Sequence, residues 1–117
     1  QIPVIVDEIC IVEGEVKNCA PFFRGVNIKL TKWSGITPGK IMIKKALDLG
    51  LKVMVGCITE STVSLSAIGQ LSPMLDYVDM DGGFLIRNDI ADGVKVYDSK
   101  VHFPDRNGTG AKLFNFE

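Results

Sequence analysis

Gly25-Val26-Asn27-Ile28-Lys29-Leu30-Thr31-Lys32 is the stretch that decides the fold of this chain. Strand side chains alternate with period two, so Val26, Ile28 and Leu30 point one way and Asn27, Lys29 and Thr31 the other. On an exposed antiparallel strand, water would account for the polar face. Here the strand leads through a short loop, residues 33–36, into a helix start at Thr37-Pro38, which signals a parallel sheet covered on both faces. A lysine on a covered face needs a chemical reason. Taken alone, the stretch favours the plainer reading, a surface strand with a solvated lysine.

The flanking sequence changes that balance. Thr37 as N-cap and Pro38 at the first helical position open a helix. Ile43, Ala46 and Leu47 give it an apolar face flanked by Met42 and Leu49, and Gly50 stops it. Leu51 to Cys57 reads as a strand, and residues 58–61 as a loop. A helix follows on Leu65, Ile68 and Leu71, closed off before Pro73. Tyr77 to Asp81 reads as another strand, stopped by Gly82-Gly83. Upstream, Ile2 to Glu8 is a short buried-type strand that tolerates Pro3 near its start. Glu15 to Cys19 suggests a short helix ended by Pro21, with Phe22 and Phe23 packing beneath. The strand–loop–helix unit recurs at intervals of about two dozen residues, the signature of a parallel α/β sheet. The tail differs: Val94 to Tyr97 and Lys100 to Phe103 flank the two-residue turn Asp98-Ser99, a hairpin, followed by a turn-rich segment.

With 117 residues, 46% of them hydrophobic, and a mean hydropathy of +0.22, the chain has enough apolar material for one domain with a core. A net charge of -1 and the lack of a basic run argue against nucleic acid or an anionic membrane as partner. No apolar run approaches the roughly 18 residues a membrane span needs. Cys10, Cys19 and Cys57 make an odd count without metal-ligand spacing, so reduced thiols and a cytoplasmic setting are expected, with no signal peptide. The missing initiator methionine suggests a fragment or processed product.

Charged residues recur at the strand C-termini: Asp7-Glu8, Lys29 with Lys32 beyond it, Glu60, and Asp79-Met80-Asp81. In parallel α/β folds this is the edge where ligands bind. Asp79 and Asp81, two apart on an expected strand, share a face with Cα atoms roughly 6.5–7 Å apart. Two carboxylates on one inward face call for something positive between them, an ammonium group or a metal. The plainer alternative is an exposed Asp-x-Asp-Gly turn.

Val6-Asp7-Glu8, residues 26–32, Val55-Gly56-Cys57-Ile58-Thr59-Glu60-Ser61 and Asp79-Met80-Asp81-Gly82, in this order, resemble the second half of the enolase superfamily. Within it they are most similar to the dipeptide epimerases of the muconate lactonizing subgroup. The resemblance covers essentially the whole chain. It implies an α/β fold that is the C-terminal half of a TIM-type (β/α)₇β barrel, with residues 1–93 holding strands five to eight and residues 94–117 a hairpin and tail. It implies Asp7 as a ligand of an essential Mg²⁺ and Lys29 as the acid/base lysine. Asp79 and Asp81 would hold the dipeptide's α-ammonium group with Glu60 nearby, and Glu8 and Lys32 would support these groups from behind. Ile9 departs from the small polar residue usual in the family. The implied reaction is epimerisation of an L-Ala-D/L-Glu-like dipeptide through an enediolate, with a lysine base and Mg²⁺ as the superfamily's general pattern. A lysine beside a cation in a closed site is expected to have a lowered pKa.

The capping domain, the partner lysine and the other metal carboxylates have no counterpart in these residues. One carboxylate does not make a Mg²⁺ site, so the chain alone is expected to be silent and to bind its missing N-terminal half or to form a homo-oligomer. Two other readings stay open: a cycloisomerase or o-succinylbenzoate synthase-like member of the superfamily, which has no use for the Asp79–Asp81 pair, and a non-catalytic half-barrel. His102 is expected to be an exposed strand residue, Trp33 a packed loop side chain, Cys57 a small buried residue, and Gly108-Thr109-Gly110 a turn without a Walker pattern.

Overall fold

The computed structural model of the chain describes residues 2–8, 13–32 and 34–115. The expectations for Ile9, Cys10 and Trp33 fall outside these residues. Four parallel strands, β1 (Ile5–Val6), β2 (Gly25–Lys29), β3 (Lys52–Gly56) and β4 (Tyr77–Val78), lie in sequence order in one sheet. Helices α1 (Glu13–Cys19), α2 (Ile36–Asp48) and α3 (Thr62–Leu71) connect them. The register pairs Val6 with Val26, and Asn27, Ile28 and Lys29 with Met54, Val55 and Gly56.

The alternation in β2 sorts the two faces. Val26, Ile28, Val53 and Val55 are fully buried in one apolar cluster with Met42, Ile43 and Ala46 of α2 and Leu65, Ile68 and Leu71 of α3. Each fully buried Val or Ile contributes roughly 1.5–3 kcal/mol relative to exposure. The helices therefore cover that face, and Asn27 and Lys29 occupy the opposite one. Gly39 lets α2 close onto β2, because a Cβ there would lie 2.6 Å from Leu30 Cδ2.

Local signals place the elements with some shifts. Helix α2 begins at Ile36 with Gly35 as its N-cap, so Thr37 and Pro38 lie inside the first turn instead of opening it. Proline fits there because first-turn N–H groups have no helical acceptor. Gly50, at φ +73°, ends the helix in a Schellman arrangement: Gly50 N–H donates to Leu47 O (2.9 Å) and Leu51 N–H to Ala46 O (3.0 Å). Leu47 and Leu49 are exposed, since the burying face runs through Gly39, Met42, Ile43 and Ala46. Phe22 is 81% exposed while Phe23 packs on the core; consecutive residues of one turn do not both face inward.

The hairpin is as expected. β6 (Lys95–Tyr97) and β7 (Lys100–His102) pair around Asp98 and Ser99, both at positive φ, the backbone of a two-residue type I′ turn. It is bound to the sheet unit. Val94 is buried in the same core and its N–H donates to Ser66 Oγ at 3.1 Å, and β5 (Ala91–Asp92) pairs antiparallel with β8 (Lys112–Leu113). His102 is partly buried rather than exposed. Its ring stacks on Tyr97 at 3.6 Å, and its Nε2 is buried with no hydrogen-bond partner among the described residues.

Asp76 fastens the start of β4 to β3. Its carboxylate accepts from Lys52 Nζ (2.6 Å) and Val53 N–H (2.9 Å), and the Lys52 ammonium first, then the Val53 N–H, hold its pKa below the ordinary value. A carboxylate with a depressed folded-state pKa stabilises fully above its unfolded value of about 3.9 and loses that contribution as pH falls through the folded value. Asp76→Asn should therefore cost about 1 kcal/mol in urea unfolding at neutral pH, with the difference shrinking as pH falls below about 4. An undiminished difference in acid would contradict the pairing.

Candidate active site

Lys29 lies at the C-terminal end of β2, and Asp7 and Glu8 directly follow β1 beside it. The parallel register brings them together. Lys29 Nζ sits 2.9 and 3.0 Å from the two Asp7 oxygens and 2.9 Å from Glu8 Oε1. The lysine side chain is only 11% exposed, against 49% for Asp7 and 62% for Glu8. Glu8 reaches a second ammonium with its other oxygen, 2.6 Å from Lys32 Nζ. The Lys32 bond first, and the Lys29 bond next, bring the Glu8 pKa down to about 2.

The Lys29 pKa is raised where the carboxylates alone are in contact with it; the expected lowering concerns a lysine beside a bound cation. Hydrogen bonds to Asp7 and then Glu8 stabilise the ammonium form and outweigh the opposing effect of burial. The physical reason is the charge at hand: two carboxylates in contact with the ammonium.

Asn27 belongs to the same group, and sequence reasoning passed over it. It is 7% exposed, shares the face of Lys29, and donates from Nδ2 to Asp7 Oδ1 at 2.7 Å. Gly56 across the ladder makes room for it, since a Cβ there would lie 2.8 Å from Asn27 Nδ2. The signal was present: a polar residue two before the lysine, on the same buried face. Asn27 Oδ1 has no hydrogen-bond partner among the described residues.

Glu60 is buried in the β3–α3 loop and its carboxylate is fully engaged. Oε1 accepts from Thr31 Oγ1 and Ile58 N–H, each at 3.0 Å, and Oε2 accepts from Ser64 Oγ. It thus ties the end of the lysine strand to the next loop.

Asp79 and Asp81 are brought together differently from the strand geometry expected. β4 ends at Val78, and Asp81 opens a 3₁₀ turn, Asp81–Leu85, with its N–H donating to Asp79 Oδ1 at 3.3 Å. Gly82 then passes so close to Ile58 that a Cβ would lie 1.9 Å from the Ile58 carbonyl oxygen; strand pairing cannot continue through such a contact. One carboxylate oxygen from each aspartate and the Cys57 sulfur lie within 4.8 Å of one another. A set with one soft thiol does not suit Mg²⁺, which prefers hard oxygen ligands, whereas two converging carboxylates suit an ammonium group. Asp7, a half-exposed carboxylate just past β1, offers the hard oxygen donors that Mg²⁺ takes.

The chain as a whole is similar to known proteins. The chain is 58% identical over 113 residues to the L-Ala-D/L-amino acid epimerase of a Maribacter species, covering 96% of this chain and 34% of that protein. Its fold superposes with a TM-score of 0.84 on the Mg-complexed dipeptide epimerase of Methylococcus capsulatus, at 28% identity over 93% of this chain and 34% of the other. It superposes at 0.87 on a mandelate racemase/muconate lactonizing protein of Herpetosiphon aurantiacus, at 26% identity over 98% and 34%. This chain is a half-barrel of the enolase superfamily. The superfamily half-barrel spans about a third of the length of the curated relatives it matches. No family model matches it.

The raised Lys29 pKa gives a direct check. Heteronuclear NMR of the lysine side chain should show an ammonium titrating above the ordinary value of about 10.4 in metal-free protein. Asp7→Asn and Glu8→Gln should each move that midpoint down, because each removes a charge that favours the protonated form. A midpoint unmoved by both would contradict the geometry.

Proposed function

We propose that this half-barrel supplies the acid/base lysine, one magnesium ligand and the ammonium-holding carboxylates of a Mg²⁺-dependent dipeptide epimerase acting on L-Ala-D/L-Xaa dipeptides. The observation that carries the reading is the placement of a buried lysine against Asp7 and Glu8 at the same sheet edge as the converging Asp79 and Asp81 carboxylates. The names of the relatives support the substrate class, and the Mg complex of the Methylococcus neighbour supports the metal.

The chemistry is that of a proton α to a carboxylate, which is very weakly acidic. Bound Mg²⁺ would supply the positive charge that stabilises the negative charge growing on that carboxylate. The chain's own residues do the rest. Asp79 and Asp81 bind the α-ammonium and fix the dipeptide's orientation. Lys29 Nζ faces one side of the reacting carbon; as an ammonium it delivers a proton there, and as a free amine it removes one. To serve as base it must first leave its pairing with Asp7 and Glu8, both of which favour the charged form. Lys32, by engaging the second oxygen of Glu8, limits how strongly Glu8 holds Lys29.

Inversion at carbon needs a second acid/base group on the opposite face, and Mg²⁺ needs further oxygen ligands. We read both as supplied by residues outside this half-barrel, so the 117 residues are expected to be inactive alone and to act when joined to them. Each outer strand, β1 and β4, has one neighbour among the described residues, which supports completion by further strands. The free thiols of Cys19 and Cys57 support a cytoplasmic setting.

In the full-length protein, Lys29→Ala should abolish epimerisation together with solvent exchange of the α-proton of at least one epimer, followed by NMR in deuterated buffer. Retention of both activities would sink the role of Lys29. Asp81→Asn should raise KM for dipeptides roughly tenfold or more, and leave analogues without the α-amino group little affected. Equal losses on both would count against ammonium recognition.

A further inference from the structure

Cys57 directly follows β3, between the lysine on β2 and the aspartate pair after β4. It is 8% exposed, and its sulfur makes two contacts with the Asp-x-Asp-Gly turn. Gly82 N–H donates to Sγ at 3.2 Å, and the S–H donates to Asp81 Oδ1 at 3.9 Å. The backbone is equally tight, with space at Gly82 for no side chain between the Cys57 sulfur and the Ile58 carbonyl. The turn carrying both carboxylates is therefore seated against Cys57 and Ile58, just past the neighbouring strand.

We infer that Cys57 is a positioning residue for ammonium recognition, its thiol holding Asp81 and its sulfur anchoring the Gly82 N–H so that the Asp79 and Asp81 carboxylates converge. The inference rests on the epimerase reading, since it concerns how that site is held in shape. Two like charges within 4.8 Å repel and drift apart unless a neutral group restrains them until the substrate's ammonium arrives. A thiol suits this task. Its sulfur is large enough to reach the turn from β3, and it carries one weak donor and a weak acceptor. Burial first, then the charges of Asp79, Asp81 and Glu60, push the thiol pKa up, with the Gly82 N–H opposing. The group stays S–H at neutral pH and adds no third negative charge. Asp81, unlike the aspartates fastened by lysine or arginine, has no cation against it among the described residues, so the thiol is its side-chain partner.

The test uses the full-length Mg²⁺-loaded protein and two probes, L-Ala-L-Glu and its des-amino analogue propanoyl-L-Glu, bound in calorimetric titrations. Wild type should prefer the dipeptide, and Asp81→Asn should lose the preference. Cys57→Ala should reduce the preference roughly tenfold, the lower end for a hydrogen bond to a charged group, with KM for the dipeptide rising more than kcat falls. Cys57→Ser, which keeps a donor, should recover part of it. If Asp81→Asn loses the preference while Cys57→Ala keeps it in full, the role of Cys57 is overturned and the ammonium reading stands. If wild type shows no preference, the ammonium reading fails and the inference with it. Should Cys57→Ala not fold, the S–H stretching band, assigned by its loss in Cys57→Ser, must shift between wild type and Asp81→Asn. An unmoved band overturns the contact.

Discussion

Everything at the functional edge depends on the ion pair cluster around Lys29. A lysine side chain with 11% exposure keeps its charge only if partners replace the water it has lost. Asp7 and Glu8 are those partners, and they reach Lys29 because the parallel ladder sets Val6 level with Val26. A one-residue slip would turn Lys29 into the apolar cluster under the helices and expose Ile28 in its place. The fully buried Val26 and Ile28 on the other face therefore fix the register by excluding that alternative. Core packing and site geometry are the same constraint seen from the two sides of one strand.

The β3–α3 loop extends this constraint sideways. From it, Glu60 holds Thr31, two residues past the lysine, and Cys57 holds the turn of Asp81 and Gly82. The acid/base group and the carboxylate pair are thereby referred to one short segment between two neighbouring strands. Gly56 at the end of β3 contributes by having no side chain, leaving the space in which Asn27 reaches Asp7. The loop residues at this edge do with side-chain hydrogen bonds what the ladder does within the sheet.

Much of the fold was legible because period-two and helical patterns coexist without conflict in β2, α2, β3 and α3. The hairpin was legible because Asp98-Ser99 suits a tight turn between two short alternating runs. The errors have physical causes. Reading Asp79 and Asp81 as strand neighbours assumed that β4 continued to Asp81, whereas the close approach of Gly82 to Ile58 bends the chain after Val78. Thr37-Pro38 carried a sound local signal for a helix start, but α2 begins two residues earlier. Asn27 went unread because an uncharged residue carries no chemistry until its neighbour is known.

The sequence by itself determined the parallel α/β sheet, its succession of βα units, and the recurrence of charged residues at one edge. These follow from periodicity and from the position of each charge relative to the end of its strand, which are local properties of the chain. Only the tertiary structure decided which charge meets which. Lys29 pairs with Asp7 and Glu8, Glu60 with Thr31 and Ser64, and Cys57 with Asp81. Each contact joins residues of different chain segments or turns, and its distance depends on the ladder register and on where backbones lacking a Cβ approach one another. Neither quantity is written in any single stretch of the chain.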